Sequence, residues 1–295
     1  MSEQPRAAQV AAAVISTLAP DGGGKPFAEA DQPLFEVARA WQMRGAQHQW
    51  GEAHGAVGGM PLGYISDLLA RAAAGGEQLA LAFAALKDAE QWRDTSVEPK
   101  SASRRSLAGR ALAEVAGLWS LSAGHAAVNV VARVVCIPER ALEMGKMRWS
   151  GLPTPFDMNP RVNLSLSRDT TKYIRAAARK TGDAALKDLV APLTQLVSHP
   201  DWKKLVDRRH TASHRLRPQS IAGGVPHQNP WVTDEATGGM AMSFLASSDY
   251  VPPDLEDVVM EAGAGYQVLS LAMRDVNDQL PAALKAVGVP LWREG

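Results

Sequence analysis

The stretch SLAGRALAEVAGLWSLSAGHAAVNVVARVV, residues 106–135, decides the fold of this protein, because it is the longest helical signal in the sequence. Its apolar side chains recur at steps of three and four residues, which is the period of an α-helix with a buried face. These positions include Leu107, Leu112, Val115, Leu118, Trp119, Val128, Val131 and Val135. The signal ends before Pro138, so we predict a central helix over these residues.

Helical spacing also dominates on both sides of this stretch. No segment shows the clean alternation of apolar and polar residues that a half-buried strand needs. The pattern predicts further helices at about residues 7–18, 27–47, 64–94, 167–180, 183–197 and 198–217. Gly75 and Gly76 predict a kink or break in the third of these, and residues 223–253 are expected to form a long loop. The predicted fold class is all-α.

A second strong helix is predicted near the end of the sequence, starting at Asp254, which is a suitable N-cap residue. Apolar residues follow it at steps of three and four, which is typical of a helix face that packs into a core. They are Leu255, Val258, Val259, Ala262, Tyr266, Leu269, Met273 and Val276. We expect this stripe to be buried core.

Composition limits the classes of partner and compartment. The 31 basic and 31 acidic residues cancel, so contact with a polyanion must come from a local basic patch. The single cysteine, Cys136, lies in an apolar run and is expected to be a small buried residue. No secretion signal and no apolar stretch of about 20 residues is evident. We therefore expect a cytoplasmic protein without a membrane span.

The segment WKKLVDRRHTASHRLR, residues 202–217, is a local basic patch in an otherwise neutral chain. Successive turns of about 100° place one arginine, Arg209, within an apolar stripe. The other members of that stripe are Trp202, Leu205, Val206, Ser213 and Leu216. A guanidinium directed at a core needs a carboxylate, carbonyl groups or a bound anion, because burying it alone is costly. A snorkelling arginine or an internal salt bridge is the alternative.

The residues Arg209-His210-Thr211-Ala212-Ser213-His214 resemble the motif of the HEPN superfamily. In that motif an arginine is followed by a polar residue, a spacer of three residues and a histidine. Members of that superfamily are helical bundles and are often metal-independent endoribonucleases in toxin or antiviral systems. The resemblance implies a bundle over residues 101–287. It leaves residues 1–100 as a helical region of unassigned role and residues 288–295 as a C-terminal tail.

The resemblance implies a catalytic site at Arg209, His214 and His210, acting on RNA without a cofactor or metal ion. A histidine can exchange protons near neutral pH, and an arginine can stabilise charge that develops on a phosphate. Four further basic residues are expected to contact the RNA backbone without reading bases. These are Lys203, Arg208, Arg215 and Arg217. Because members of the superfamily act in toxin or antiviral systems, the resemblance also implies a regulatory protein partner.

The five-residue step from Arg209 to His214 predicts a homodimer. That step turns the two side chains about 140° apart on an ideal helix. They need not meet in one pocket of a single chain, whereas a two-fold interface can bring both copies of the helix to one phosphate.

Two alternatives remain open. The first is a non-catalytic helical module that binds a nucleotide, a nucleic acid or a protein through the basic face around Arg209. The second treats His210 and His214, four residues apart on one helix face, as a metal-binding pair, with His199 or Asp207 as a third ligand.

Overall fold

The structure is a computed structural model that describes residues 36–44, 62–95, 102–140, 163–214, 225–233, 240–245 and 254–289. Seven helices account for most of these residues. They are α1 (residues 36–44), α2 (Leu62–Asp94), α3 (Ala102–Val135), α4 (Arg168–Thr181), α5 (Ala184–Leu196), α6 (Pro200–His214) and α7 (Leu255–Ala286). The all-α helical bundle predicted from the sequence is confirmed.

The core is built around the antiparallel pair α2 and α3. The Tyr64 hydroxyl at the start of α2 donates to the Arg133 carbonyl at the end of α3 over 2.7 Å, while Trp92 lies beside Gly109 at the opposite ends. Helix α7 contacts α2, α3, α5 and α6, so it closes the bundle. Its predicted apolar stripe, from Leu255 to Val276, is buried at every position. Helices from both sides of residue 100 therefore share one core.

The glycine pair in α2 does not break the helix, which is continuous from Leu62 to Asp94. The prediction of a kink or break at Gly75 and Gly76 is therefore wrong. A Cβ atom at Gly76 would lie 2.5 Å from the Ala38 carbonyl oxygen and 2.7 Å from the Gln42 nitrogen. The absence of a side chain lets the backbone of α1 approach α2 closely, which is a packing role. Next to this contact, the Trp41 indole donates to the Met273 carbonyl over 2.8 Å.

The predicted apolar face of α3 is only partly buried. Val128, Val131 and Val135 lie in the core, whereas Leu107, Val115 and Leu118 are 59%, 41% and 46% exposed. The helix carries small or apolar residues on nearly every side, so its periodicity alone does not show which side meets a neighbour. Contacts with α2 and α7 decide that choice instead.

One helix in the described part of the chain, over Arg105–Val135 in α3, is long and apolar enough to cross a membrane by length and composition. This differs from the expectation that no stretch would be long enough. In the structure, 67% of its most apolar window is buried inside the bundle. This apolar segment of α3 therefore forms part of the core of the bundle.

A two-stranded antiparallel ribbon lies within the segment expected to be a loop. Strand β1 (Val225–Thr233) pairs with β2 (Met240–Leu245), with an irregularity in register between Pro226 and Trp231. The loop prediction for residues 223–253 is therefore wrong over these two strands. Proline cannot donate to a strand ladder, and Pro226 and Pro230 hid the strand pattern in β1.

Local capping sets the arrangement of α4, α5 and α6. The Ser167 hydroxyl accepts from Thr170 N at the start of α4, and the Asp183 carboxylate accepts from Ala185 N and Leu186 N at the start of α5. Between the two helices Gly182 adopts a φ of 79°, a left-handed conformation that glycine takes readily. Helix α6 begins at Pro200, where a first helical turn needs no backbone donor.

Candidate functional site

Helix α6, which carries the basic motif, is anchored by two apolar side chains. Trp202 and Leu205 are 2% and 3% exposed. Leu205 fits against two glycines, because a Cβ atom would lie 3.1 Å from its side chain at Gly117 of α3 and 2.9 Å from it at Gly265 of α7. Trp202 likewise packs against Gly124 of α3. The first two turns of α6 are thus fixed between α3 and α7.

Arg209 does not continue this buried stripe. Its side chain is exposed, so the expectation of a guanidinium directed into the core is wrong. The long aliphatic stem allows the charged end to reach water and so avoids the cost of burying the charge. Among the described residues the Arg209 guanidinium has no hydrogen-bond or ion-pair partner. It is therefore accessible to an anion from solution.

Arg208, one residue earlier, is in a different situation. Its guanidinium binds the Glu261 carboxylate of α7, with Nε 2.6 Å from Oε2, and both side chains are largely buried. This ion pair ties α6 to α7. Lys203 is half-buried, and the exposed Lys204 lies 3.9 Å from Asp201. Of the basic residues predicted to contact RNA, Arg208 is thus already paired within the protein.

The remaining motif residues are only partly described. His210 and His214 lie on α6, but their side chains fall outside the described part, as do Arg215 and Arg217 altogether. His199 precedes α6, and its Nδ1 accepts from Asp201 N. At 1.5 Å per residue, about 16 Å of helix axis separates His199 from His210. A shared metal requires bonds of about 2 Å, so His199 is wrong as a third ligand.

No group of three or more histidine, cysteine, aspartate or glutamate residues in the described ranges is arranged to hold a metal ion. Cys136 is fully buried, as expected, and burial raises the pKa of its thiol to about 12. It is thus a core residue without a thiolate at neutral pH.

His125 of α3 is a further candidate residue, and no sequence motif indicates it. Its Nδ1 accepts a hydrogen bond from the Leu166 backbone N–H over 2.9 Å. Burial, together with the positive charge of Arg209, lowers the pKa of its imidazole. Nδ1 is occupied as an acceptor, so a neutral His125 carries its proton on Nε2. It can donate a hydrogen bond there, but it cannot accept a proton without losing its contact with Leu166.

A buried ionic network lies further along the same face of α3. Arg133 is 2% exposed and its Nε lies 2.6 Å from the Asp67 carboxylate, which also accepts from Arg71. Burial alone would raise the pKa of Asp67, but the hydrogen bonds and charges of the two arginines lower it overall. Asn129 joins the network to the segment before α4 through both atoms of its amide, at Leu164 N and O. Every group is satisfied, so the network serves the structure.

The least expected feature is a basic groove between α4 and α5, with a volume of about 670 Å³. Five exposed cations line it, accompanied by three hydroxyl groups. The cations are Arg168, Lys172, Arg175, Arg179 and Lys180, and the hydroxyls belong to Thr171, Thr194 and Ser198. The signal for it in the sequence was the spacing of the cations, at steps of four, three and four residues along one helix face.

The cations of this groove differ from several arginines elsewhere in the fold. Arg71, Arg93 and Arg208 each contact a carboxylate. None of the five groove cations does so within the part of the chain that the structure describes. The groove is also connected to α6 through His125. Leu166, two residues before α4, donates its backbone N–H to His125. The charge of Arg209 on α6 in turn lowers the pKa of His125.

Protein-family models, curated proteins and solved structures were compared with the chain. None of them matches it. Chemically, the groove and Arg209 supply positive charge that no carboxylate of the described residues neutralises. Guanidinium groups form paired hydrogen bonds with phosphate oxygens, so both features suit an anionic ligand.

Proposed function

We propose that this protein binds RNA and cleaves it at α6 without a metal ion. Arg209 would stabilise charge on the reacting phosphate, and His214 would exchange a proton with an attacking or leaving oxygen. The observation that carries the proposal is the exposure of Arg209, whose guanidinium has no partner in the described residues, beside a neighbour that is already paired with Glu261. The resemblance of the motif to HEPN ribonucleases supports the same choice.

The reaction proposed is attack of a ribose 2′-hydroxyl on the adjacent phosphate. A bond forms between the 2′ oxygen and phosphorus, and the bond from phosphorus to the 5′ oxygen of the next nucleotide breaks. The 2′-hydroxyl loses a proton and the leaving oxygen gains one, which gives a 2′,3′-cyclic phosphate and a 5′-hydroxyl. A histidine with a pKa of about 6.5 suits such proton exchange. His210 would hold the phosphate.

The proposal includes a homodimer, because the five-residue step between Arg209 and His214 turns them about 140° apart. In a two-fold assembly each phosphate would meet Arg209 of one protomer and His214 of its partner. Light scattering should give twice the mass of the chain over a range of concentrations. A mass equal to one chain throughout would remove the shared site.

The test of cleavage compares three single variants on a labelled RNA. Arg209→Ala and His214→Ala should each slow cleavage at least about a hundredfold, on the usual scale for charge stabilisers and proton-transfer groups. Lys204→Ala is the matched control, because Lys204 is an exposed cation of the same helix that lies 3.9 Å from Asp201. It should cleave at the wild-type rate.

Two chemical controls define the reaction. A 2′-deoxy nucleotide at the cleaved position should stop it, and a chelator should leave the rate unchanged. If the pure wild-type protein binds RNA and cuts none, the cleavage proposal fails and a binding module takes its place. Cleavage by His214→Ala at the wild-type rate would also count against it.

A further inference from the structure

We infer that the groove between α4 and α5 is a second RNA contact, which holds the sugar-phosphate backbone of a single strand. The inference takes RNA as its ligand from the proposed function, but it does not depend on cleavage. It concerns the groove cations alone, none of which belongs to the motif on α6. Their role would be to place the strand, while Arg209 and His214 would act on it.

Four of the five groove cations form a continuous row. Arg168, Lys172, Arg175 and Arg179 fall within an arc of about 60° at 100° per residue, and they extend over about 16 Å of the α4 axis at 1.5 Å per residue. The core face of the same helix carries Ile174, Ala177 and Ala178, which are buried. Packing on one side therefore fixes the direction in which the cations point on the other. A linear ligand with repeated negative charge matches such a row.

The closely spaced cations destabilise α4, because like charges at steps of three and four residues repel each other. Among the described residues, no carboxylate forms an ion pair with these cations. Asp183 caps the start of α5 through Ala185 N and Leu186 N, and Asp169 lies on α4 outside the groove lining. A phosphate backbone would neutralise the row, which is the complementarity that phosphate-binding surfaces use.

The groove hydroxyls favour RNA over other polyanions. Two of them, unlike the buried Thr171, are open to a ligand: Thr194 donates to Val190 O, and Ser198 donates to Thr194 O. Each hydroxyl oxygen is thereby left as an acceptor. A ribose 2′-hydroxyl can donate to such an oxygen, whereas DNA and carboxylate side chains have no equivalent donor. These two groups would therefore distinguish RNA from DNA at the sugar.

The dimensions of the groove favour a single strand. A single row of cations about 16 Å long can follow one sugar-phosphate backbone, whereas a double helix presents two backbones over a wider surface. Its lining residues include no aromatic side chain on which a base could stack. Binding should accordingly depend on salt and be insensitive to base sequence.

The test measures fluorescence anisotropy of a labelled oligouridylate of about 12 nucleotides, a length within the usual range for single-strand sites. Reversing two groove charges, in the double variant Arg175→Glu with Arg179→Glu, should weaken binding at least about tenfold at low salt. The matched control, Arg274→Glu with Lys285→Glu, changes the net charge equally at exposed positions of α7. It should bind as the wild type does. Far-UV circular dichroism checks that each variant is folded.

Salt dependence provides a second readout. Each phosphate contact contributes about −0.7 to the slope of log K against log salt for a single strand. The neutral double variant, Arg175→Gln with Arg179→Gln, should reduce that slope by about 1.4. It keeps the test valid if charge reversal prevents folding. An unchanged slope and affinity in this variant would overturn the inference.

The choice of ligand is tested on the wild-type protein. An oligothymidylate of equal length and a polyglutamate of equal charge should both bind more weakly than the RNA. Equal binding of either would overturn the assignment of the groove to RNA.

The experiments distinguish a failure of the groove inference from a failure of the proposed cleavage. RNA binding that needs Arg175 and Arg179 but gives no cleavage supports the groove alone, and binding lost only with Arg209→Ala supports α6 alone.

Discussion

His125 accepts the Leu166 backbone N–H at Nδ1, and this bond links the centre of α3 to the segment that leads into α4. Burial and the charge of Arg209 hold the pKa of His125 below its ordinary value of 6.5. The unfolded chain therefore binds a proton more readily than the folded one. Stability should be full above about pH 6.5 and should fall as the pH drops through the lowered pKa of the folded state.

The variant His125→Asn isolates this effect, since the asparagine carbonyl can still accept from Leu166 N but does not titrate. Urea unfolding between about pH 7 and pH 5 should show a flatter loss of stability in the variant than in the wild type. Parallel curves for the two proteins would contradict the assignment.

The Arg133–Asp67 pair predicts a large effect of removing the carboxylate. In Asp67→Ala the buried guanidinium of Arg133 would lose its carboxylate partner, and breaking such a pair costs about 3–5 kcal/mol. Asp94→Ala is the control, because Asp94 forms its ion pair with Arg93 at the exposed end of α2. The midpoint of urea unfolding should shift strongly in the first variant and little in the second. Equal shifts would show that burial of Arg133 is unimportant.

Two glycines should respond in opposite directions to the same substitution. Gly76→Ala places a Cβ atom 2.5 Å from the Ala38 carbonyl oxygen, so α1 must move away, and overpacking of this kind costs about 1–3 kcal/mol. At Gly263 the new atom would meet Leu86 at 3.8 Å, an ordinary contact. There alanine should stabilise helix α7 by up to about 1 kcal/mol. Thermal unfolding of both variants measures the difference.

Arg208 and Arg209 should separate stability from RNA binding. Arg208→Ala removes the ion pair with Glu261 and should lower the free energy of unfolding by about 1 kcal/mol, since the pair is only partly screened by water. Arg209→Ala should leave that free energy within about 0.5 kcal/mol of the wild type. RNA affinity should respond in the opposite way, with Arg209→Ala weakening binding more than Arg208→Ala does. Chemical denaturation and anisotropy on the same two proteins provide the comparison.

The helical core could be predicted where the apolar residues of a helix form a single stripe. In α7 the positions from Leu255 to Val276 follow the helical period, and all of them are buried. In α3 the same rule assigned Leu107 and Leu118 to the core, although they are exposed. Nearly every side of that helix is apolar or small, and only contacts with helices distant in sequence select the buried side.

The candidate site was less accessible to sequence reasoning. Arg133 is buried because Asp67 lies against it, 66 residues earlier in the chain, and no local pattern indicates that pair. Charges on a helix usually form a solvated face, so the regular spacing from Arg168 to Arg179 does not by itself indicate a groove. The position of Arg209 in the stripe leaves two directions open for its charged end, and only the structure shows that it is exposed.

The position of α7 in the chain has a consequence for synthesis on the ribosome. Translation makes α2, α3, α5 and α6 before α7, and α7 contacts all four. Until Leu255–Ala286 has emerged, the surfaces that it covers remain open to water and to chaperones. Nascent chains that stop before residue 255 should therefore be recognised as unfinished and degraded, whatever the quality of the helices already made.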